Sequence, residues 1–383
     1  MKRRQLLLSS PAWAASAAFS TYISHASAQT ASGAPLVIGC TAAMTGPLGG
    51  FGQNMKQGVD AALRQINARG GVQGRPLSFE VLDDAYVPAR SVENARKLLA
   101  DSNIVALMGC LGTPNNAAIS PLIEAAGTPH LAPLTGASSL RKGDLRHVYH
   151  VRASYTDEMN RLVDNLVSMG IKDLAMVYLD NAYGKEVAGD ATRALTSAGI
   201  KAVAMVALAT DGKNLDSVVA SVLAAKPSAV LLGTAGAATT GLVASLKQAS
   251  PMIPIAGISA ALTQDGIRKL GPAAQGIAIT TVFPDANHTK HLVVREYQAA
   301  MRAMDLQVFS GGSLEGYINT RIMAEALSRA GRAPTRDKVR QALASLRNFD
   351  VGGFNVDYGS ANPHVGSKFV DLGVLSSDGR LKS

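Results

Sequence analysis

The chain has 383 residues and a formal charge of +9, with two cysteines and one tryptophan. That length accommodates two α/β lobes of ordinary domain size. Two cysteines exclude a disulfide-rich scaffold and any multi-cysteine metal centre. The basic residues are scattered, with few aromatics among them, which excludes the basic stripe of a nucleic-acid-binding protein.

At the start, Lys2, Arg3 and Arg4 precede the apolar stretch that opens at Leu6, and Ala26-Ser27-Ala28 forms a small-residue cleavage box. Residues 1–28 therefore read as a signal peptide. The Arg3-Arg4 pair fits a twin-arginine leader as well as an ordinary Sec leader, and both routes stay open. Pro11 and several serines interrupt the apolar run, which falls short of the roughly 20 residues that span a bilayer. Cleavage would take the formal charge from +9 to +6 by removing three basic residues, and would place the mature protein in the periplasm. The remaining positive excess at most hints at an anionic ligand.

The mature chain then alternates short apolar runs with segments of helical period, the signature of βαβ units and parallel sheets. Strands are expected at 36–42, 77–83, 104–109 and 129–132, with helices around 55–66, 91–100 and 115–126 between them. After 147–151 the rhythm restarts. Strands at 174–178, 202–207, 229–232, 255–257 and 277–282 alternate with helices at 157–169, 185–198, 215–224 and 240–248. Three helices follow, at 290–304, 314–330 and 335–346, and two closing strands lie near 354–356 and 369–374. The fold class is thus α/β, with two doubly wound lobes and no low-complexity linker between them. Cys40 and Cys110 both fall at ends of parallel strands and are expected to be buried thiols, although a bridge between them is conceivable.

Signatures of chemistry fail in turn. Gly50-Phe51-Gly52 opens a helix after a strand, but Met55 stands where a dinucleotide fingerprint needs its last glycine. Gly257-Ile258-Ser259-Ala260-Ala261 is one residue short of a nucleophile elbow, and His288, His291 and His364 lie in loop-like sequence. There is no Walker A motif and no HExxH. The expectation is a protein that is not an enzyme and uses neither cofactor nor metal. Three glycine- and hydroxyl-rich loops follow strands on one sheet edge, at 46–52, 109–115 and 133–139. Backbone N–H groups at the helix N-termini behind such loops suit a carboxylate.

At these loops the sequence resembles the periplasmic leucine/isoleucine/valine-binding family, the receptors of branched-chain amino-acid-type ABC importers. The resemblance rests on Ala43-Met44-Thr45-Gly46-Pro47 with Gly52, on Ile66 to Gly74, on Asp83-Asp84, and on Asp180 to Gly184, and it covers nearly the whole mature chain. It implies a type I periplasmic binding fold of two flavodoxin-like lobes joined by three hinge crossings. Lobe 1 would take residues 29–150 and 285–365, and lobe 2 residues 151–284 and 366–383. It implies a substrate-binding component that captures an amino acid or organic acid by lobe closure and serves ABC permease subunits in the inner membrane, as a monomer.

By the same resemblance, the loop Leu111-Gly112-Thr113 holds the ligand carboxylate, and Leu134, Thr135 and Gly136 offer backbone groups. Phe51 forms an aromatic wall, and Tyr155 and Tyr183 face the ligand. Departures accompany this pattern. The family's second-lobe glutamate, which holds the ligand ammonium, aligns with Ser259, and a second tyrosine aligns with Ala235. The family's early disulfide positions align with Tyr86 and Gly112. The implied ligand is either a different amino acid, its amine held by Asp285 or Glu315, or an organic acid without an amine, which suits the positive charge. A periplasmic ligand sensor for a signalling receptor, and more remotely a secreted serine hydrolase using Ser259, are the alternatives.

Overall fold

The computed structural model describes residues 33–359 and 363–382; the expected signal peptide lies outside the described residues. The first series runs β1 (Leu36–Ala42), α1 (Gly49–Ala68), β2 (Leu77–Asp83), α2 (Pro88–Ala100), β3 (Ile104–Met108), α3 (Thr113–Ala125), β4 (His130–Leu131) and β5 (Val148–His150). The second runs α4 (Tyr155–Ser168), β6 (Leu174–Leu179), α5 (Ala182–Ser197), β7 (Ala204–Leu208), α6 (Leu215–Ala224), β8 (Ala229–Gly233), α7 (Gly236–Ala249), β9 (Ile255–Gly257), α8 (Gln264–Leu270) and β10 (Ala278–Thr281). The tail adds α9 (Leu292–Arg302), α10 (Gly311–Ala330), α11 (Arg336–Ala344), and short strands β11 (Phe349–Asp350), β12 (Asn355–Val356), β13 (His364–Val365), β14 (Asp371–Leu375) and β15 (Leu381–Lys382).

Two sheets result, ordered β13-β5-β4-β3-β1-β2 and β15-β14-β10-β9-β8-β6-β7, with β11 and β12 as a separate pair. Pairing within the first sheet is parallel throughout. In the second it is parallel from β7 to β10, and β14 and β15 join antiparallel. The strands are near-continuous apolar runs because helices cover both faces; every residue of β3 and of β8 is buried.

Each sheet reverses its winding at one place, between β1 and β3 in the first and between β6 and β8 in the second. At such a switch point the following loops diverge and leave a crevice at the carboxyl ends of the strands. The chain passes between sheets after β5, after β10 and between β13 and β14, so both sheets are built from separated stretches. The tail helices return to the first sheet. Helix α10 lies against α1 so closely that a Cβ on Gly58 would overlap the Ser313 carbonyl, and one on Gly316 the Met55 carbonyl. The Arg336 guanidinium on α11 donates to the carbonyls of Leu99, Asp101 and Ile104.

Candidate ligand-binding site between the lobes

The loops at the two switch points face each other and enclose a cavity of about 190 Å³. From the first lobe come Leu48, Phe51, Tyr86, Leu111, Gly112, Thr113, Leu134 and Glu315; from the second, Tyr155, Tyr183, Ala235 and Ser259. Arg152, on the first crossing, and Asp285, on the second, complete the polar wall. The lobes also touch outside the cavity. Ala237 N–H donates to the Pro47 carbonyl at 3.4 Å, and Ser139 gives its N–H and its hydroxyl to the Glu186 carboxylate at 2.8 and 2.7 Å.

Several local devices place these residues. Asp83, at the end of β2, accepts from the N–H groups of Met44, Thr45 and Ala85 and from the Thr45 hydroxyl, which shapes the loop before α1. Burial pushes the Asp83 carboxyl up, but the Thr45 hydroxyl and the three N–H donors together outweigh it and hold it down at about 2. Gly112 turns at φ +98 with the Tyr86 ring against it, where any side chain would collide. Asn181 caps α5 by accepting from Gly184 N–H at 3.0 Å, which sets Tyr183 in the first turn. Ser154 and Asp157 form a capping box that starts α4 at Tyr155. The Tyr155 and Tyr183 rings then meet edge to face, their centroids 5.4 Å apart.

Thr113 opens α3 with Pro114 behind it, so its hydroxyl and its own backbone amide, which no intrahelical bond uses, stand at one end of the cavity. Its Oγ shares a hydrogen bond of 2.8 Å with Thr135 Oγ, which also accepts from Ala137 N–H at 3.1 Å. Thr135 thus supports Thr113 from behind; it is fully buried and does not reach the wall. Gly136 is likewise set back, packed under the Tyr155 ring, with its carbonyl accepting from Tyr155 N–H. The expected backbone groups of Leu134 point elsewhere: its N–H donates to Cys110 and its carbonyl accepts from Gly112. Of that segment only Leu134 lines the cavity. Internal sheet-edge pairing, invisible in a glycine-rich loop sequence, uses the groups expected to face a ligand. Phe51, Leu111, Gly112, Thr113, Tyr155, Tyr183, Ser259 and Asp285 all stand in the wall.

Of the charged centre only Glu315 was anticipated; Arg152 and Glu158 were not. Arg152 is 6% exposed and lies 3.9 Å from Glu158 and 3.8 Å from Glu315. Its Nη2 donates to Ser259 Oγ at 2.5 Å. Glu158, on α4, accepts from Ser259 N–H at 2.7 Å and from the Thr280 hydroxyl at 2.6 Å. Burial works against the Arg152 charge, but Glu315 and Glu158 hold its pKa above the ordinary arginine value. Burial raises the Glu315 carboxyl, Arg152 offsets part of that, and Glu158 adds to it. The one available signal was position: Arg152 stands two residues past the buried strand β5, between Val151 and Ala153. Cys40 and Cys110 are buried free thiols in the first lobe. Among the described residues there is no cluster of three metal-ligating side chains.

A two-lobed α/β clamp of the type I periplasmic binding fold, with its cavity at the facing switch points, is the class that this architecture defines. A periplasmic binding protein family model matches residues 35–374, and the chain belongs to that family. The resemblance to the leucine/isoleucine/valine-binding proteins is borne out by curated relatives. The Leu/Ile/Val-binding protein homolog 3 of Brucella melitensis is 26% identical over 58% of this chain and 58% of the relative. A Leu/Ile/Val-binding protein of Rhizobium johnstonii is 23% identical over 88% of this chain and 90% of its own. The chain spans about half the length of the first curated relatives it matches. A substrate-binding periplasmic protein of Ralstonia solanacearum, known by crystal structure, superposes with a TM-score of 0.84 at 28% identity, covering 90% of this chain and 99% of that one.

Proposed function

We propose that this protein is the periplasmic receptor of an ABC importer and captures a small carboxylate-bearing solute by closing its lobes. The observation that carries the reading is the placement of Thr113. Thr113, the first residue of α3, stands with its hydroxyl and its own backbone amide at one end of a cavity walled mainly by apolar and aromatic side chains from both lobes. A helix N-terminus supplies unpaired N–H donors and a favourable field for an anion. Enclosure excludes water and strengthens each polar contact.

In this reading the solute docks on the first lobe through Thr113, and the second lobe then brings in Tyr183 and the Ser259 loop. The lobe boundaries expected from the sequence are the bodies that move, and the three crossings are the hinge. The closed monomer is the form offered to the permease subunits. The Ser259 hydroxyl supports binding, because it accepts from a guanidinium and its loop amide is held by Glu158.

A thermal-shift screen of small carboxylates against matched uncharged amides tests the proposal. Stabilisation by one or more carboxylates, growing with concentration as mass action requires, is the expected result. A protein stabilised equally by the amides, or by neither set, would not be a carboxylate receptor.

A further inference from the structure

We propose that Tyr86 is a specificity-determining residue of the cavity: its ring fills the space beside Thr113 and selects solutes that carry no second carbon branch next to their carboxylate. This rests on the reading above that a carboxylate docks at Thr113, and it says which carboxylates fit.

The backbone that carries the ring is the first observation. Ala85 and Tyr86 are consecutive and both left-handed, at φ +48 and +65. Glycine, asparagine or aspartate holds such a turn with little strain, whereas a bulky aromatic residue there is an outlier. Two carboxylates impose the conformation. Asp83 Oδ1 accepts from Ala85 N–H at 3.0 Å, and Asp84 Oδ1 accepts from Tyr86 N–H at 2.9 Å. Asp84 is fully buried and is fixed in turn through Oδ2, which accepts from the hydroxyls of Thr41 and Ser91 at 2.9 and 2.7 Å. Strained residues persist where their surroundings over-determine them, and they gather at ligand clamps. The turn by itself does not call for a tyrosine; the place of its ring does.

That ring stands in the cavity wall together with Thr113. A Cβ on Gly112 would lie 2.3 Å from Tyr86 Cε2, so the ring takes the volume that a side chain at position 112 would fill. Gly112 directly precedes Thr113, which sets the ring beside the hydroxyl and amide that receive the carboxylate. Burial pushes the Tyr86 phenol well above its ordinary value, and Tyr155 and Asp84 add to the shift, so the ring is also within electrostatic reach of the second lobe. Pinned at both aspartates and backed by Gly112, the ring cannot step aside for a wider solute. An added methyl group in a close-packed wall then costs affinity.

Titration calorimetry on the full mature chain tests the assignment. The probes are straight-chain, phenyl-substituted and amino carboxylates, each paired with the homologue that has one more methyl on the carbon next to the carboxylate. The parent protein should bind the less branched member about 10-fold or more tightly. Tyr86→Ala should shrink that ratio below about threefold. Tyr86→Leu, which fills part of the space, should give an intermediate ratio even if the alanine variant folds poorly, and Tyr86→Phe, which keeps the ring, should match the parent. Parent ratios near unity, or ratios unchanged in both the alanine and leucine variants, would overturn the assignment and leave the carboxylate reading standing. A ratio lost in Tyr86→Phe would give the selection to the hydroxyl and overturn it as well. If no carboxylate binds at all, the carboxylate reading falls and this inference falls with it.

Discussion

Arg152 Nη2 donates to Ser259 Oγ across 2.5 Å, which ties the first crossing between the sheets to the loop that follows β9. The same guanidinium faces Glu315 on the first lobe and Glu158 on the second. The hinge and both walls of the cavity are therefore coupled through one side chain. Glu158→Ala removes the acceptor of Ser259 N–H and of the Thr280 hydroxyl, and it leaves a buried cation with one distant partner. Breaking a buried pair in this way costs about 3–5 kcal/mol. Urea denaturation should show a loss of that size; a loss below about 1 kcal/mol would mean that water reaches the cluster.

Closure can be blocked without touching the cavity polar groups. A Cβ on Gly236 would stand 2.5 Å from Leu48 Cδ2 and 2.6 Å from the Pro47 carbonyl, both on the opposite lobe. Overpacking of this kind costs about 1–3 kcal/mol, so Gly236→Ala should weaken solute binding by about 5–150-fold. Small-angle scattering should report a larger radius of gyration in saturating solute than for the parent protein. Gly236 also sits at φ +71, which strains any substitute locally. Leu48 also lines the cavity, so Leu48→Ala alone is the reference: a smaller cost of Gly236→Ala in that background than in the parent identifies the collision between lobes, and an equal cost assigns the loss to the Pro47 carbonyl contact and backbone strain.

Thr113→Ala removes the hydroxyl at the head of α3 while leaving the amides behind it. A hydrogen bond to a charged group contributes about 1.5–3 kcal/mol, so carboxylate affinity should fall by about 10–100-fold in calorimetry with the unfolding midpoint nearly unchanged. Thr135→Val keeps the shape but deprives Thr113 of its 2.8 Å partner, and a smaller loss is expected. Unchanged affinity in Thr113→Ala would remove this residue from the site.

Asp83 gives the protein an acid-sensitive element. Its folded-state pKa of about 2 lies below its ordinary value of 3.8, so its stabilising effect is complete above the unfolded value. The effect fades as pH falls from about 4 towards 2. The melting temperature of the parent protein should exceed that of Asp83→Asn at pH 5, with the gap narrowing steadily to pH 2. A gap that stays constant over that range would show that the loop at Met44 and Thr45 does not depend on the ionised carboxylate.

The sheets were largely legible because each central strand is a short apolar run bounded by glycine, proline or charge. β1, β2 and β9 fall where the pattern predicts them. Helix α8 was missed because its seven residues are too short for a period to emerge. The two-residue strands β11 and β13 have no pattern at all; pairing partners found elsewhere in the chain create them. The cavity divides in the same way. Thr113 and Tyr183 follow from loops at strand ends, a local relation. Arg152 does not, because an arginine in a loop reads as solvated until Glu158 and Glu315 are brought to it by folding. Gly136 lies behind Tyr155 for a similar reason: only the packed chain shows which loop residues form the front layer.

The last crossing, between β13 and β14, makes the chain end in both halves of the molecule: β13 completes an edge of the first sheet, and β14 and β15 complete the second. No single cut can then release either half intact. A protein shortened after α11 would lose the margin of each sheet together, and two fragments divided at Val151 would have to be co-expressed and reassociate, since the amino-terminal piece alone lacks the helices that cover α1.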